Sequence, residues 1–384
     1  MVVRTLMWLS FSLIVFTYFG YYLVLLVLSG IRNKNRFYDD AYTPYVSMVV
    51  SAYNEEKVIQ KKIDNFYKLK YPLKRIELLI GSDGSDDGTE SILINNQSSM
   101  IHPFIFDTRC GKASVLNRLV DRARGDIIVF SDANSMYAPD AIQKLVQYFT
   151  DPKIGGVCGR LELYTTFDNA GSKGEMVYWN FENRIKDMES RIRTVFGANG
   201  AIYAIRRSLY ERLPEDVVIT DDFILPMRIV AKGYDVVYDK DAKAYEATSS
   251  DVRGEFIRKV RIGASNFYTL KELIPLLNPF KGFVAFGLWS HKVLRWFAPF
   301  FLIFLFLTNL ALTRIPFYRI LLLLQLVFYL SASVGWLFSR MNARSNIFTY
   351  MYYFLVVNFA ILFGFFKFLF RSQRLTWERV DRSG

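Results

Sequence analysis

Cysteine and histidine are nearly absent from this chain: two of each, Cys110 and Cys158, His102 and His291, in 384 residues. So few exclude a Cys/His zinc framework and give no reason to expect an exported, disulfide-built domain. Both cysteines read most simply as small core residues of a reducing compartment. A G-x-G-x-x-G dinucleotide fingerprint and a P-loop are also missing. Gly111-Lys112-Ala113 lacks the upstream glycine and the Ser/Thr of a Walker cradle, so Lys112 can meet a phosphate only as a point charge. There are no repeats and no low-complexity tract. What the chain does have is apolar residues, 52%, aromatics, 17%, and a net charge of +12. Beside long apolar runs, that charge points to a membrane surface or an anionic substrate and not to nucleic acid.

Val2–Ile31 is almost wholly apolar, longer than the roughly 20 residues that cross a bilayer. It is too long for a signal peptide, and no A-x-A-like cleavage site follows. Arg4 alone precedes it, whereas Arg32, Lys34 and Arg36 follow, so the positive-inside rule puts the next region in the cytoplasm. Residues 32–45 read as a polar linker ending near Pro44. Residues 46–274 alternate strand-like and helix-like patterns. Strands are predicted at Val46–Ala52, Ile76–Ser82 and Ile127–Asp132, and helices at Glu55–Leu69, Asp86–Asn96, Lys112–Ala123 and Pro139–Phe149. Beyond Gly155 come shorter strands, a helix around Gly174–Arg191 and another starting near Asp221. Such alternation predicts an α/β domain with a mostly parallel sheet.

Residues 275–296 mix apolar and basic side chains and suit a helix lying in the interface. Three spans are expected within residues 297–370, at Phe297–Leu312, Phe317–Phe338 and Ile347–Phe370, before a basic tail, 371–384. Three crossings put that tail outside, against the charge of Arg371, Arg374, Arg379 and Arg382. A Gly282–Leu312 segment that enters and leaves on one side removes the conflict.

The chemistry-bearing residues gather at predicted strand ends and loops. The run Ile127–Phe130 ends in Ser131-Asp132-Ala133-Asn134; Asp132 either caps a turn or, with Asn134, ligates a hard cation such as Mg²⁺. Tyr53-Asn54-Glu55 follows the first strand, and Asp83 stands in Ser82-Asp83-Gly84-Ser85-Asp86-Asp87-Gly88-Thr89 after the second. That second stretch also reads as a plain turn with an N-cap. Gly197-Ala198-Asn199-Gly200 is a flexible polar loop. Thr220-Asp221-Asp222 opens a helix, where paired aspartates either cap it or do chemistry. Arg258-Lys259-Val260-Arg261 puts two guanidiniums on one helix face, as an ordinary basic helix or as a clamp for a leaving pyrophosphate. Tyr178, Trp179 and Trp377 could stack on sugars but suit core or interface positions better.

In this order the motifs resemble family 2 glycosyltransferases, and in particular the membrane-embedded branch of cellulose, hyaluronan and poly-N-acetylglucosamine synthases. The resemblance runs over roughly residues 46–270. It implies a GT-A nucleotide-diphospho-sugar transferase fold carried by transmembrane helices, with a UDP-sugar donor and a divalent metal, Mg²⁺ or Mn²⁺. By the same resemblance Tyr53, Glu55, Asp83 and Lys112 bind the donor, and Asp132 with Asn134 holds the metal. Gly197, Ala198, Asn199, Gly200 and Asp221 line the acceptor site, Asp222 is the base, and Arg258 and Arg261 steady the departing UDP. The implied activity is inverting transfer to a growing β-linked polysaccharide by an integral membrane protein with a cytoplasmic catalytic domain. Transfer of one sugar to a lipid-linked acceptor is the alternative. A dead binding or transport protein is a remote third, opposed by the retained Asp222 and by spans whose only charges, Arg319 and Lys367, sit near their ends.

Three features depart from the family pattern. Asn134 replaces the second Asp of Asp-x-Asp, and Asp221 replaces the Glu of Thr-Glu-Asp. The Gln-x-x-Arg-Trp of processive members reads Arg258-Lys259-Val260-Arg261-Ile262, without the acceptor-stacking tryptophan.

Overall fold

The computed structural model describes residues 1–34, 36–164, 170–248, 252–340 and 347–372. Arg374, Trp377, Arg379 and Arg382 lie outside them. The described residues fold as two compact units, a globular one from 31–164 and 179–248 and a helical one from 1–30, 165–178 and 249–372.

The chain opens in the helical unit with α1 (Val2–Ile31). In the globular unit, β1 (Val46–Ala52), α2 (Glu56–Tyr67), β2 (Ile76–Asp83), α3 (Thr89–Asn95), β3 (Ile101–Phe106), α4 (Lys112–Arg122) and β4 (Ile127–Asp132) alternate as expected. Then come β5 (Met136–Tyr137), α5 (Ala141–Val146), β6 (Ile154–Tyr164), α6 (Ala170–Ile192), β7 (Tyr203–Arg206), α7 (Asp221–Ala231) and β8 (Asp235–Ala247). One mixed sheet has the order β3-β2-β1-β4-β7-β6-β8-β5. Its first four strands are mutually parallel, and β7 runs antiparallel between β4 and β6. Strands covered on both faces need continuous apolar runs, and Val46, Met48, Val50, Leu78, Ile80, Ile127 and Val129 supply them. Ile59, Ile63 and Phe66 of α2 belong to the same core.

In the globular unit several predicted elements differ from the fold, each for a local reason. The helix expected from Asp86 starts only at Thr89, because Gly84, at φ +62°, turns the chain first. Strand β3 is masked in the sequence by His102-Pro103; it lies at the sheet edge, where proline is tolerated. Beyond Gly155 only β7, with four residues, is short: β6 has 11 residues and β8 has 13. Gly155, Gly156 and Gly159 disguise β6, Asp239-Lys240-Asp241 disguises β8, and their pairing shifts register twice. The polar linker, 32–45, is docked on the globular unit: Lys34 N–H donates to Arg191 O at 2.9 Å, and Arg36 meets Asp235 at 2.8 Å.

In the helical unit α8 (Val252–Leu273) is followed by α9 (Phe283–Ala311), α10 (Pro316–Arg340) and α11 (Ile347–Leu369). The interfacial helix expected over 275–296 and the short span expected from 297 are one continuous 29-residue helix, with a π-helical stretch at Leu288–Val293. An entry and exit on one side has no turn to use within it. Among the described residues four helices, α1, α9, α10 and α11, are long and apolar enough to cross a membrane. The domain boundary expected at 274 falls earlier, since α8 packs with the helical unit. There Gly263 meets Gly364: a Cβ on Gly364 would stand 2.7 Å from both Ala264 N and Val260 O. Such close backbone approach is how helices associate where no water drives them together.

Candidate active site

The sheet assembles the site. Ser51 on β1 pairs with Gly81 on β2 and with Asp132 on β4, so Tyr53, Asp83 and Asp132 emerge at one edge. This is the carboxyl end of the parallel strands, at the point where the order reverses on either side of β1, the ligand crevice of open α/β sheets. Strand β7 pairs Tyr203 with Phe130 and runs the other way, which carries the loop before it, Gly197–Gly200, to the same edge. The two rings stack at 4.6 Å.

The loops after β1 and β2 brace each other. Asn54, at φ +54°, accepts from Asp86 N–H at 3.0 Å and donates to Asp86 Oδ1 at 2.6 Å. Glu55 N–H donates to Thr89 Oγ1 at 2.8 Å. The Asp83 carboxylate is buried and accepts the N–H groups of Cys110 at 2.7 Å and Gly111 at 3.0 Å. Gly111 takes φ +90° to present its N–H that way. The loop so fixed lays the Arg109 guanidinium 3.6 Å from the centre of the Tyr53 ring, a cation–π pair at the edge of the crevice. Sequence reasoning missed Arg109, whose only sign was a basic residue three before Lys112.

Beside it stands a cluster of three carboxylates and one ammonium. Lys112 Nζ lies 2.9 Å from Asp132 Oδ1 and 3.0 Å from Asp221 Oδ1. Burial opposes its charge, but Asp132 and Asp221 outweigh burial and raise its pKa well above the usual lysine value. Asp221 is itself buried, and its other oxygen accepts from Tyr203 Oη at 2.7 Å. Asp221 thus holds Lys112 with one oxygen and Tyr203 with the other. Asp222 accepts from Gly200 N–H at 3.1 Å, and its carbonyl accepts from Ala198 N–H at 2.7 Å. Burial, then the neighbouring Asp221, push its pKa up to about 6.

Gly200 keeps open the space between the two outward carboxylates. A Cβ built there would lie 3.2 Å from Asp222 Oδ2 and 3.6 Å from Asp132 Oδ2. An all-oxygen donor set with excess negative charge around an open cradle fits a hard divalent cation. Asp132 and Asn134 would hold it. Among the described residues no cluster offers three His, Cys, Asp or Glu ligands at once. The Asn134 amide donates to Glu246 Oε1 at 3.1 Å, and Ser135 Oγ donates to Glu246 Oε2 at 3.1 Å. Glu246, at the end of β8, was not legible as a site residue.

The acceptor loop divides. Gly197, at φ +107°, and Gly200 flank Asp222. Asn199 instead is fully buried, donating to Gly159 O at 2.6 Å and accepting from Lys186 Nζ. Lys186 also donates to Ala198 O at 3.0 Å. Asn199 therefore anchors the loop, which corrects the acceptor-lining role expected of it. Arg258 and Arg261 stand on α8 in the helical unit. There Arg258 pairs with Glu255 at 2.7 Å and Glu175 at 2.9 Å.

Comparison with known proteins agrees with this geometry. Residues 47–213 match the family described as Glycosyl transferase family 2. A beta-monoglucosyldiacylglycerol synthase of Trichormus variabilis is 27% identical over 199 residues, 50% of this chain and 42% of that protein. A poly-beta-1,6-N-acetyl-D-glucosamine synthase of Staphylococcus aureus is 26% identical over 225 residues, 56% of this chain and 53% of that protein. The chain thus spans about half the length of the curated relatives it matches. The fold is shared with a mannosyltransferase of Pyrobaculum calidifontis, solved with GDP-Man and Mn²⁺, at 21% identity and a TM-score of 0.73, over 96% of this chain and 100% of that one. Residues 47–213 thus match the family 2 glycosyltransferase domain, and the mixed sheet with a carboxylate-lined crevice at its edge has the GT-A fold.

Proposed function

We propose that the chain is a membrane-bound, metal-dependent, inverting glycosyltransferase that takes a UDP-sugar from the cytoplasm and extends a β-linked polysaccharide. The observation that carries this reading is Asp222 facing Asp132 across Gly200, a base beside a metal ligand. Tyr53, Glu55 and Asp83 frame the nucleoside, with Arg109 stacked on Tyr53. Lys112 meets the diphosphate as a point charge. Gly197, Ala198 and Gly200 face the acceptor, with Asn199 fixing the backbone behind them and Asp221 holding Lys112 beside them.

Asp222 takes the proton of the acceptor hydroxyl while that oxygen bonds to the anomeric carbon. The bond from that carbon to the diphosphate oxygen breaks on the opposite side, and its electron pair leaves with UDP. A base with a pKa near 6 is mostly ionised at neutral pH and still basic enough to accept the proton. A divalent cation at Asp132 and Asn134 would neutralise charge on the diphosphate. The P. calidifontis mannosyltransferase was solved with a nucleotide-sugar and Mn²⁺, which supports both partners here.

A second reading is transfer of one sugar to a lipid-linked acceptor. Ile262 in place of the stacking tryptophan favours it, as does the similarity to a glucosyldiacylglycerol synthase. Membranes incubated with Mn²⁺ and labelled UDP- and GDP-sugars decide the matter. A size ladder supports the polymerase, one lipid-soluble product the second reading, and the absence of both from all donors overturns the proposal.

A further inference from the structure

Helix α2 carries a lysine on the wrong face. Ile59, Ile63 and Phe66 form its buried stripe, and Lys62 shares it with no exposure at all. A buried ammonium is costly unless its donors are met, and burial pushes the Lys62 pKa down to about 7. Its Nζ donates to Ser131 Oγ at 2.6 Å and to the carbonyl of Ser135 at 2.5 Å, and lies 4.6 Å from the centre of the Tyr137 ring. The neutral amine donates as the ammonium does, so these bonds survive either protonation state.

Those two partners bracket Asp132 and Asn134. One side chain therefore closes the 131–135 loop from beneath. The Ser131 hydroxyl also reaches the carbonyl of Ala201 at 3.3 Å, which ties the loop to the residue after Gly200. From the other side Glu246 holds Asn134 and Ser135 at 3.1 Å each. We propose that Lys62 is a positioning residue for metal binding: it fixes the loop between β4 and β5 so that Asp132 and Asn134 face the diphosphate together. The inference rests on the reading of Asp132 as a metal ligand.

The test is Mn²⁺ titration of the full-length protein with UDP and no acceptor, with free Mn²⁺ read by electron paramagnetic resonance. Lys62→Met keeps the length and suits the apolar face. Outer-shell partners of metal ligands are worth about 10–100-fold in affinity, and a rise of that size in the Mn²⁺ dissociation constant is expected. Thermal unfolding should hold, and transfer should recover at saturating Mn²⁺. Deleting a nearby positive charge would by itself tighten Mn²⁺, so weakening reports position and not charge. An unchanged or tighter dissociation constant in Lys62→Met, while Asp132→Ala abolishes binding, overturns the Lys62 role alone. If Asp132→Ala binds Mn²⁺ normally, the metal reading falls and this inference with it. Should Lys62→Met not fold, Ser131→Ala removes one partner and leaves the lysine: a smaller loss in the same direction supports the role, and none overturns it.

Discussion

In the proposed mechanism Asp222 is the general base, and burial with the neighbouring Asp221 raises its pKa to about 6. Loss of such a base costs about 10²–10⁴-fold in rate, so Asp222→Asn should lower turnover by that much with UDP binding intact. Near-normal turnover would remove Asp222 from the role. Because burial and Asp221 raise its pKa to about 6, the rate should fall as pH drops below that value. The same shift has a stability consequence. A carboxylate whose pKa is raised by folding binds its proton more tightly in the native state, so stability declines as pH rises from about 4 to about 6. At pH 7.5 the Asn variant should accordingly unfold a few degrees above the parent, and near pH 4 the two should coincide. Gly200 belongs to the same scale. In Gly200→Ala a methyl 3.2 Å from Asp222 Oδ2 displaces the base or narrows the cradle. Misplacement by about 1 Å can cost roughly 10²-fold, and a loss of that order is expected in turnover with little change in unfolding temperature.

At the scale of elements, positioning is done by pairs of loops and by close helix contacts. The loops after β1 and β2 are held by Asn54, a non-glycine residue in the left-handed region, whose amide both donates and accepts. Asn54→Ala forfeits both bonds and keeps the strained backbone, at a cost of about 1–3 kcal/mol. Calorimetry should find weaker UDP binding, with Mn²⁺ binding at Asp132 retained. In the helical unit Gly364→Val forces α8 and α11 apart, and the variant should lose thermal stability in detergent without losing the sheet signature in circular dichroism. Elements were legible in proportion to the plainness of their periodicity. Strands β1, β2 and β4 are unbroken apolar runs. Strand β3 hides behind proline, β6 behind glycines and β8 behind charges, because edge position and bulges relax the pattern that marks a buried strand. Helix α9 was divided in two because His291, Lys292 and Arg295 interrupt its hydropathy, although backbone hydrogen bonding continues through them.

At the scale of the whole molecule, the orientation of the globular unit is testable with a native handle. Cys110 is partly exposed in the crevice, donating to Asp83 at 3.2 Å, while Cys158 is buried. A membrane-impermeant thiol reagent should modify Cys110 only from the cytoplasmic face of sealed vesicles, and slowly, since burial raises its pKa. UDP with Mn²⁺ should protect it. Labelling from the opposite face would reverse the orientation drawn from Arg32, Lys34 and Arg36.

The sequence by itself determined the apolar character of the membrane-length helices and the parallel strands β1, β2 and β4, and it singled out Asp83, Lys112, Asp132 and Asp222, because these depend on local runs and on motifs whose members lie within a few positions. Only the tertiary structure decided what each side chain does with its neighbours. Asp221 and Asn199 turn inward to hold Lys112 and a loop, since their partners, Tyr203 and Gly159, come from other strands. Arg109 reaches Tyr53 across 56 residues of chain, and Lys62 reaches Ser131 across 69. No local pattern records a contact of that separation; the sheet register creates it.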